Sequence, residues 1–127
     1  MVRPLAWVGA SKKDYAEFPA KVQDDFGYRL YRVQIGGNVF PRAKPLNEGA
    51  LKGLGIYELG EDYEGDTYRA VYTLKLDGVL YVLHAFKKKS KSGIATPRHD
   101  IETIRVRYAA AVQAHEQMVS RRSSNQA

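Results

Sequence analysis

The feature that most constrains this chain is the dipeptide Asp77-Gly78, which stands between two runs rich in β-branched and aromatic residues, 67–76 and 79–87. An Asp-Gly pair accepts the positive φ angles of a type I′ turn, the connection that fits the twist of a two-residue β-hairpin. With Leu76 opposite Val79, the pairing runs Thr73 with Val82, Val71 with His84 and Arg69 with Phe86. Because side chains alternate, one face carries Arg69, Val71, Thr73, Lys75, Leu80, Val82, His84, Phe86 and Lys88. The other carries Tyr68, Ala70, Tyr72, Leu74, Leu76, Val79, Tyr81, Leu83, Ala85 and Lys87. The second set is the more continuously apolar and is expected to meet helices. The first is expected to stay open.

The rest of the chain supplies those helices. Residues 3–8 read as a short strand, and Ser11 as the N-cap of a brief helix through Phe18. Pro19 suits the first turn of a second helix, where Phe18, Val22, Phe26, Leu30 and Val33 share one face. Gly36-Gly37 ends that helix, and residues 38–53 read as an ordered loop. A further strand at 54–59 precedes the hairpin. Thr96-Pro97 opens a last helix, with Thr96 as N-cap and an apolar stripe of Ile101, Ile104, Tyr108, Val112 and Val119. The order β-α-α-β-β-β-α with a contiguous antiparallel meander makes an α+β fold, with two N-terminal helices on one sheet face and a C-terminal helix. The 127 residues suit one domain over 1–119, followed by a flexible tail at 120–127.

Charge then narrows the function. Residues 1–74 hold ten Lys/Arg and ten Asp/Glu, whereas 75–127 hold ten against four, so the whole excess of +6 lies in the C-terminal part. Its densest stretch is Lys87, Lys88, Lys89 and Lys91, an electrostatic footprint for phosphate or a solvated cationic loop. On the hairpin, Arg69, His84 and Lys88 fall on the face that also carries the Phe86 ring. Cations, an imidazole and an aromatic platform suit single-stranded RNA, through phosphate contacts and base stacking. The same set can promote attack of an RNA 2′-hydroxyl on the adjacent phosphate, with Arg69 and Lys88 offsetting the developing charge and His84 or a lysine moving protons. Arg69 also reads as a partner for the acidic cluster Glu61, Asp62, Glu64 and Asp66, and His84 as a hydrogen-bonded structural histidine. No metal or cofactor is expected, since His84, His99 and His115 do not show metal-ligand spacing. The lack of cysteine excludes disulfides, thiolate metal sites and a cysteine nucleophile, and fits a reducing cytoplasm. No apolar run approaches the roughly 20 residues of a membrane span.

Four stretches together resemble the HigB/RelE-type toxins, in the phage-derived, HigB-like branch of the RelE/ParE superfamily. They are Lys44-Pro45-Leu46, the run from Gly53 to Leu59, the run from Tyr68 to Tyr72, and Leu83-His84-Ala85-Phe86-Lys87-Lys88-Lys89-Ser90-Lys91, with a proline and a basic helix beyond. The resemblance spans roughly residues 4–112. It implies a RelE/ParE-like fold and the toxin of a type II toxin–antitoxin system, an endoribonuclease that cuts mRNA in the ribosomal A site. It also implies a helix-turn-helix antitoxin bound in a hetero-oligomer. Arg69 matches the arginine after a tyrosine on the middle strand of such nucleases, and Lys88, with Lys87 beside it, the basic residue ending the last strand. Lys44, in its proline-flanked loop, reads as an RNA or ribosome contact. Many relatives carry an arginine directly after the Glu-Leu pair; here that position is Gly60. Two rival readings keep the fold: a ParE-like gyrase inhibitor, and a non-catalytic basic module that binds antitoxin or nucleic acid.

Overall fold

The computed structural model describes residues 2–36, 43–88 and 96–126. Its elements run β1 (Leu5–Trp7), α1 (Ser11–Ala16), α2 (Ala20–Gln34), β2 (Ala43–Pro45), a 3-10 turn at Gly49–Leu51, β3 (Ile56–Tyr63), β4 (Asp66–Thr73), β5 (Leu80–Lys88) and α3 (Arg98–Gln126). The five strands form one mixed sheet in the order β1-β5-β4-β3-β2, with β1 parallel to β5 and the other pairs antiparallel. This is the α+β class read from the sequence. The edge strand β2 lies inside the stretch expected as loop. Its three residues pair with Tyr57–Leu59, and neither composition nor period announces so short a strand.

The hairpin turn forms as its residues dictate. Asp77 and Gly78 adopt φ of 53° and 73°, and the Val79 N–H donates to the Leu76 carbonyl at 3.2 Å. Arg69 faces Phe86 and Val71 faces His84, as the two-residue turn requires. Between these two ends the register departs by one residue: Tyr72 faces Val82 and Thr73 faces Tyr81. Leu83 is the extra residue of a bulge, a feature that turns side chains to new faces.

The bulge redistributes the core. Leu80 and Val82 join Tyr68, Ala70, Tyr72 and Ala85 beneath α2, where Phe18, Val22, Phe26, Leu30 and Val33 are all buried as their spacing predicts. Tyr81 and Leu83 move to the opposite face with Val71 and Phe86. That face is not open. Ile104 and Ala111 of α3 cover it, together with Leu46 and Leu51. The α3 stripe continues through His115, which accepts from the Tyr81 hydroxyl at Nδ1 (2.9 Å) and meets Asp77 at Nε2 (2.9 Å), while Val119 stays exposed. Helical backbone runs through residues 120–126, the segment expected as a tail.

Two expected caps serve the tertiary structure instead. Ser11 is the first residue of α1, and its buried hydroxyl donates to the Val82 carbonyl and accepts from the Val8 N–H. Thr96 stands two places before α3, which begins at Arg98, and its hydroxyl donates to Glu58. Pro19 stands at the N-cap of α2, one place before the helix. Among the described residues no helix is long and apolar enough to cross a membrane.

Candidate functional site

The sequence places Arg69, Val71, His84, Phe86 and Lys88 on one sheet face, and the structure does so too, but carboxylates from other elements separate them into two groups. The first group surrounds Glu58. Arg69, on β4, donates from Nη1 to Glu58 Oε1 at 2.9 Å, reaching diagonally past Gly60, its direct neighbour on β3. Thr96 donates its hydroxyl to Glu58 Oε2 at 3.3 Å, and its backbone N–H is shared between the two oxygens of Glu48 at 3.0 and 3.2 Å. Lys88, 6% exposed, is close enough for its charge to act on Glu58. Burial pushes the Glu58 carboxyl above its ordinary value of 4.5; Arg69, Thr96 and Lys88 pull it down, and Glu48 adds to the rise. A buried carboxylate thus pairs with Arg69 and lies within reach of the charge of Lys88.

Arg69 opens from this group onto a cleft of about 630 Å³ beside the outer edge of β3, which among the described residues β2 pairs only as far as Leu59. Lys44 and Lys21 line the same cleft, so the structure brings Lys44 and Arg69 together. Three carboxylates, Asp25, Glu61 and Asp62, share the lining. Glu61 is pushed up to about 7 by burial, then by its hydrogen bond to Asp25 and that group's charge.

The second group surrounds His84. Its Nε2 lies 2.8 Å from Asp100 Oδ1, and its Nδ1 lies 3.2 Å from Arg107 Nη1. A carboxylate only accepts and a guanidinium only donates, so the proton sits on Nε2 and Nδ1 carries the lone pair. Burial lowers the His84 pKa against the pull of Asp100, leaving the ring neutral near pH 7. Arg107 also donates to Asp14 at 3.2 Å and to the Leu83 carbonyl at 3.1 Å, tying α3 to α1 and β5. This group borders a cleft of about 620 Å³ between the α1–α2 junction, β5 and α3, where Lys87 and His99 also lie.

Several expectations change. Phe86 is not an open stacking platform: it is 8% exposed and stacks on His84, ring centroids 4.9 Å apart at 19°. Lys88 is buried on the Glu58 side of the sheet, while Lys87 points to the other face and pairs with Asp66 at 3.0 Å. Arg69 takes Glu58, not the cluster at 61–66, as its partner. Lys89 and Lys91 lie outside the described residues. Asp14, Asp100 and Arg107 were missed; lone charges on helices carry no signal until the helices dock. Among the described residues no group of three or more His, Asp or Glu could hold a metal ion.

The family described as phage-derived protein Gp49-like matches residues 13–109. No curated protein matches the sequence. Among solved structures the chain is similar to a doubly substituted E. coli toxin RelE in the free state, at 20% identity over 67% of this chain and 82% of that one, with a TM-score of 0.48. It is also similar to the toxin–antitoxin complex RelBE2 from Mycobacterium tuberculosis, at 13% identity over 71% of this chain and 95% of that one, with a TM-score of 0.49.

Proposed function

Because this chain belongs to the Gp49-like family of phage-derived proteins, we propose that it is the toxin of a toxin–antitoxin pair and acts as a ribosome-dependent endoribonuclease on mRNA. The observation that carries the reading is the Arg69–Glu58–Lys88 cluster opening through Arg69 onto the cleft lined by Lys44. An RNA phosphate competes with Glu58 for the Arg69 fork, since both present two oxygens to a planar donor. Glu58, released and with its proton affinity raised by burial, takes the proton of the 2′-hydroxyl. The 2′-oxygen bonds to phosphorus, the bond to the 5′-oxygen breaks, and Lys88 supplies that oxygen's proton. Arg69 and Lys88 offset the charge that grows on the phosphorane. The products are a 2′,3′-cyclic phosphate and a 5′-hydroxyl. His84, whose two nitrogens are engaged, holds Asp100 and Arg107 and so seats α3 over this face. Lys87 serves as an outer phosphate contact, along with Lys89 and Lys91 beyond it. A helix-turn-helix antitoxin silences the activity in a hetero-oligomer, and the site of action is cytoplasmic.

Single-turnover cleavage on programmed ribosomes tests the reading. Arg69→Ala is expected to cost about two to three orders of magnitude in rate, the range for losing one preorganised charge donor. Arg69→Lys is expected to recover part of it, since lysine keeps charge without the fork. Cleavage at the parental rate by a folded Arg69→Ala protein overturns the assignment. Retained ribosome or RNA binding without cleavage by the parent leaves the binding module, and trapped gyrase–DNA complexes the ParE-like reading.

A further inference from the structure

We infer that Gly60 is a positioning residue: its missing side chain provides the space in which the Arg69 guanidinium lies across β3 to reach Glu58. The inference rests on the nuclease reading only for its consequence in cleavage.

A glycine inside an eight-residue strand is poorly chosen for the strand itself, because it packs nothing and loses the most backbone freedom. Gly60 has no positive φ that would call for glycine. Space is the remaining reason. A Cβ built on Gly60 would stand 2.8 Å from Arg69 Nη1, 3.5 Å from Cζ and 3.7 Å from Cδ. The first distance is well inside van der Waals contact, so one of the two groups must move. The strand cannot easily withdraw. From the opposite side, Arg29 of α2 donates to the Gly60 carbonyl at 2.8 Å, and Gly60 sits inside the β3–β4 ladder opposite Arg69. What yields is the end of the long arginine side chain. It is the atom Nη1 that makes the 2.9 Å bond to Glu58, so any side chain at position 60 moves the guanidinium off that carboxylate. Gly60 and Arg69 therefore act as one unit, in which the glycine sets where the fork points.

The test compares Gly60→Ala, Arg69→Ala and the double variant, all in the full chain. The Glu58 carboxyl is followed by 13C NMR titration, alongside urea melts and single-turnover cleavage. Arg69 holds the Glu58 titration down, so Arg69→Ala moves it upward. Gly60→Ala is expected to move it the same way, and to add nothing once Arg69 is alanine. In cleavage, Gly60→Ala is expected to lose at least tenfold in rate at saturating ribosome, with half-saturation little changed. If Gly60→Ala alone folds poorly, the loss is expected to vanish in the Arg69→Ala background, where the space is empty. A Glu58 titration unaltered by Gly60→Ala, or an equal loss of stability in both backgrounds, overturns the inference. A parent that cleaves nothing refutes the nuclease reading alone, because the titration and melts still decide the role of Gly60.

Discussion

Removing Arg69 leaves Glu58 as a buried carboxylate short of its main partner, and the cost can be worked from the surroundings. Breaking one side of a fully buried ion pair costs about 3–5 kcal/mol. Here the side chains are 18% and 10% exposed, and Glu58 keeps the Thr96 hydroxyl and the nearby Lys88 charge. Those remaining partners bring the expected loss for Arg69→Ala to about 2 kcal/mol near pH 7.5. For a chain of this size that is a fall in Tm of about 6–10 °C. The loss must also depend on pH. Glu58 is raised above 4.5 in the folded parent and rises further without Arg69, so the folded variant binds its proton more readily than the unfolded chain. Stability then falls as pH climbs from 4.5 through the raised value, and levels off above it. The difference between variant and parent is therefore small near pH 4.5 and full above the raised pKa. Replacing Glu58 by Gln in the Arg69→Ala protein removes the orphaned charge and is expected to return most of the stability. Urea melts across pH 4.5–8 provide the measurement. A loss that is the same at every pH, or that Glu58→Gln does not relieve, refutes the claim that Glu58 is a charged, Arg69-dependent group.

The neighbouring lysines are expected to differ sharply. Lys88→Met removes a buried charge that offsets Glu58 and should cost about 1–3 kcal/mol in a urea melt, whereas Lys87→Ala, an exposed side chain on Asp66, should leave Tm unchanged; equal effects would mean the strand end is not turned as described. At the β3 edge, Asp25→Asn should bring the Glu61 titration down from about 7 toward the ordinary 4.5, because it removes a neighbouring negative charge. The parent should lose stability as pH rises from 4.5 to about 7, and Asp25→Asn should flatten that slope, with NMR titration and melts at pH 5–8 as the check.

The meander, its turn and the α2 stripe were legible because each rests on local chemistry. Asp77-Gly78 names its own turn type, and a five-member apolar face at helical spacing names its own partner surface. The bulge at Leu83 was not legible, because the run from Val79 to Leu83 is apolar throughout and either register satisfies the pattern. Its effect was large: it exchanged the faces of Leu80 through Leu83 and so concealed that the face carrying Arg69 would be roofed by α3. The roof itself was half-readable. Ile101, Ile104 and Tyr108 marked an apolar stripe, but nothing local says which sheet face a helix beyond the last strand will cover.

The site shows the same division between charge and pairing. The cations were visible in the sequence; their partners were not, because those partners come from distant elements. Glu58 lies 11 residues from Arg69, and Asp14 lies 93 from Arg107. A local excess of +6 therefore overstates the positive field that a ligand meets. Arg69, Lys87, Arg107 and Lys21 each hold a carboxylate within 3.2 Å. An RNA phosphate that takes one of these cations must also displace an internal carboxylate, whose freed charge offsets part of the gain from releasing the RNA's condensed cations. Under the proposed nuclease reading this argues against tight capture of free RNA and for a substrate held in place by a larger body. On a ribosome the orientation of the message is already fixed, and the exchange of Glu58 for phosphate at Arg69 has only to be locally favourable.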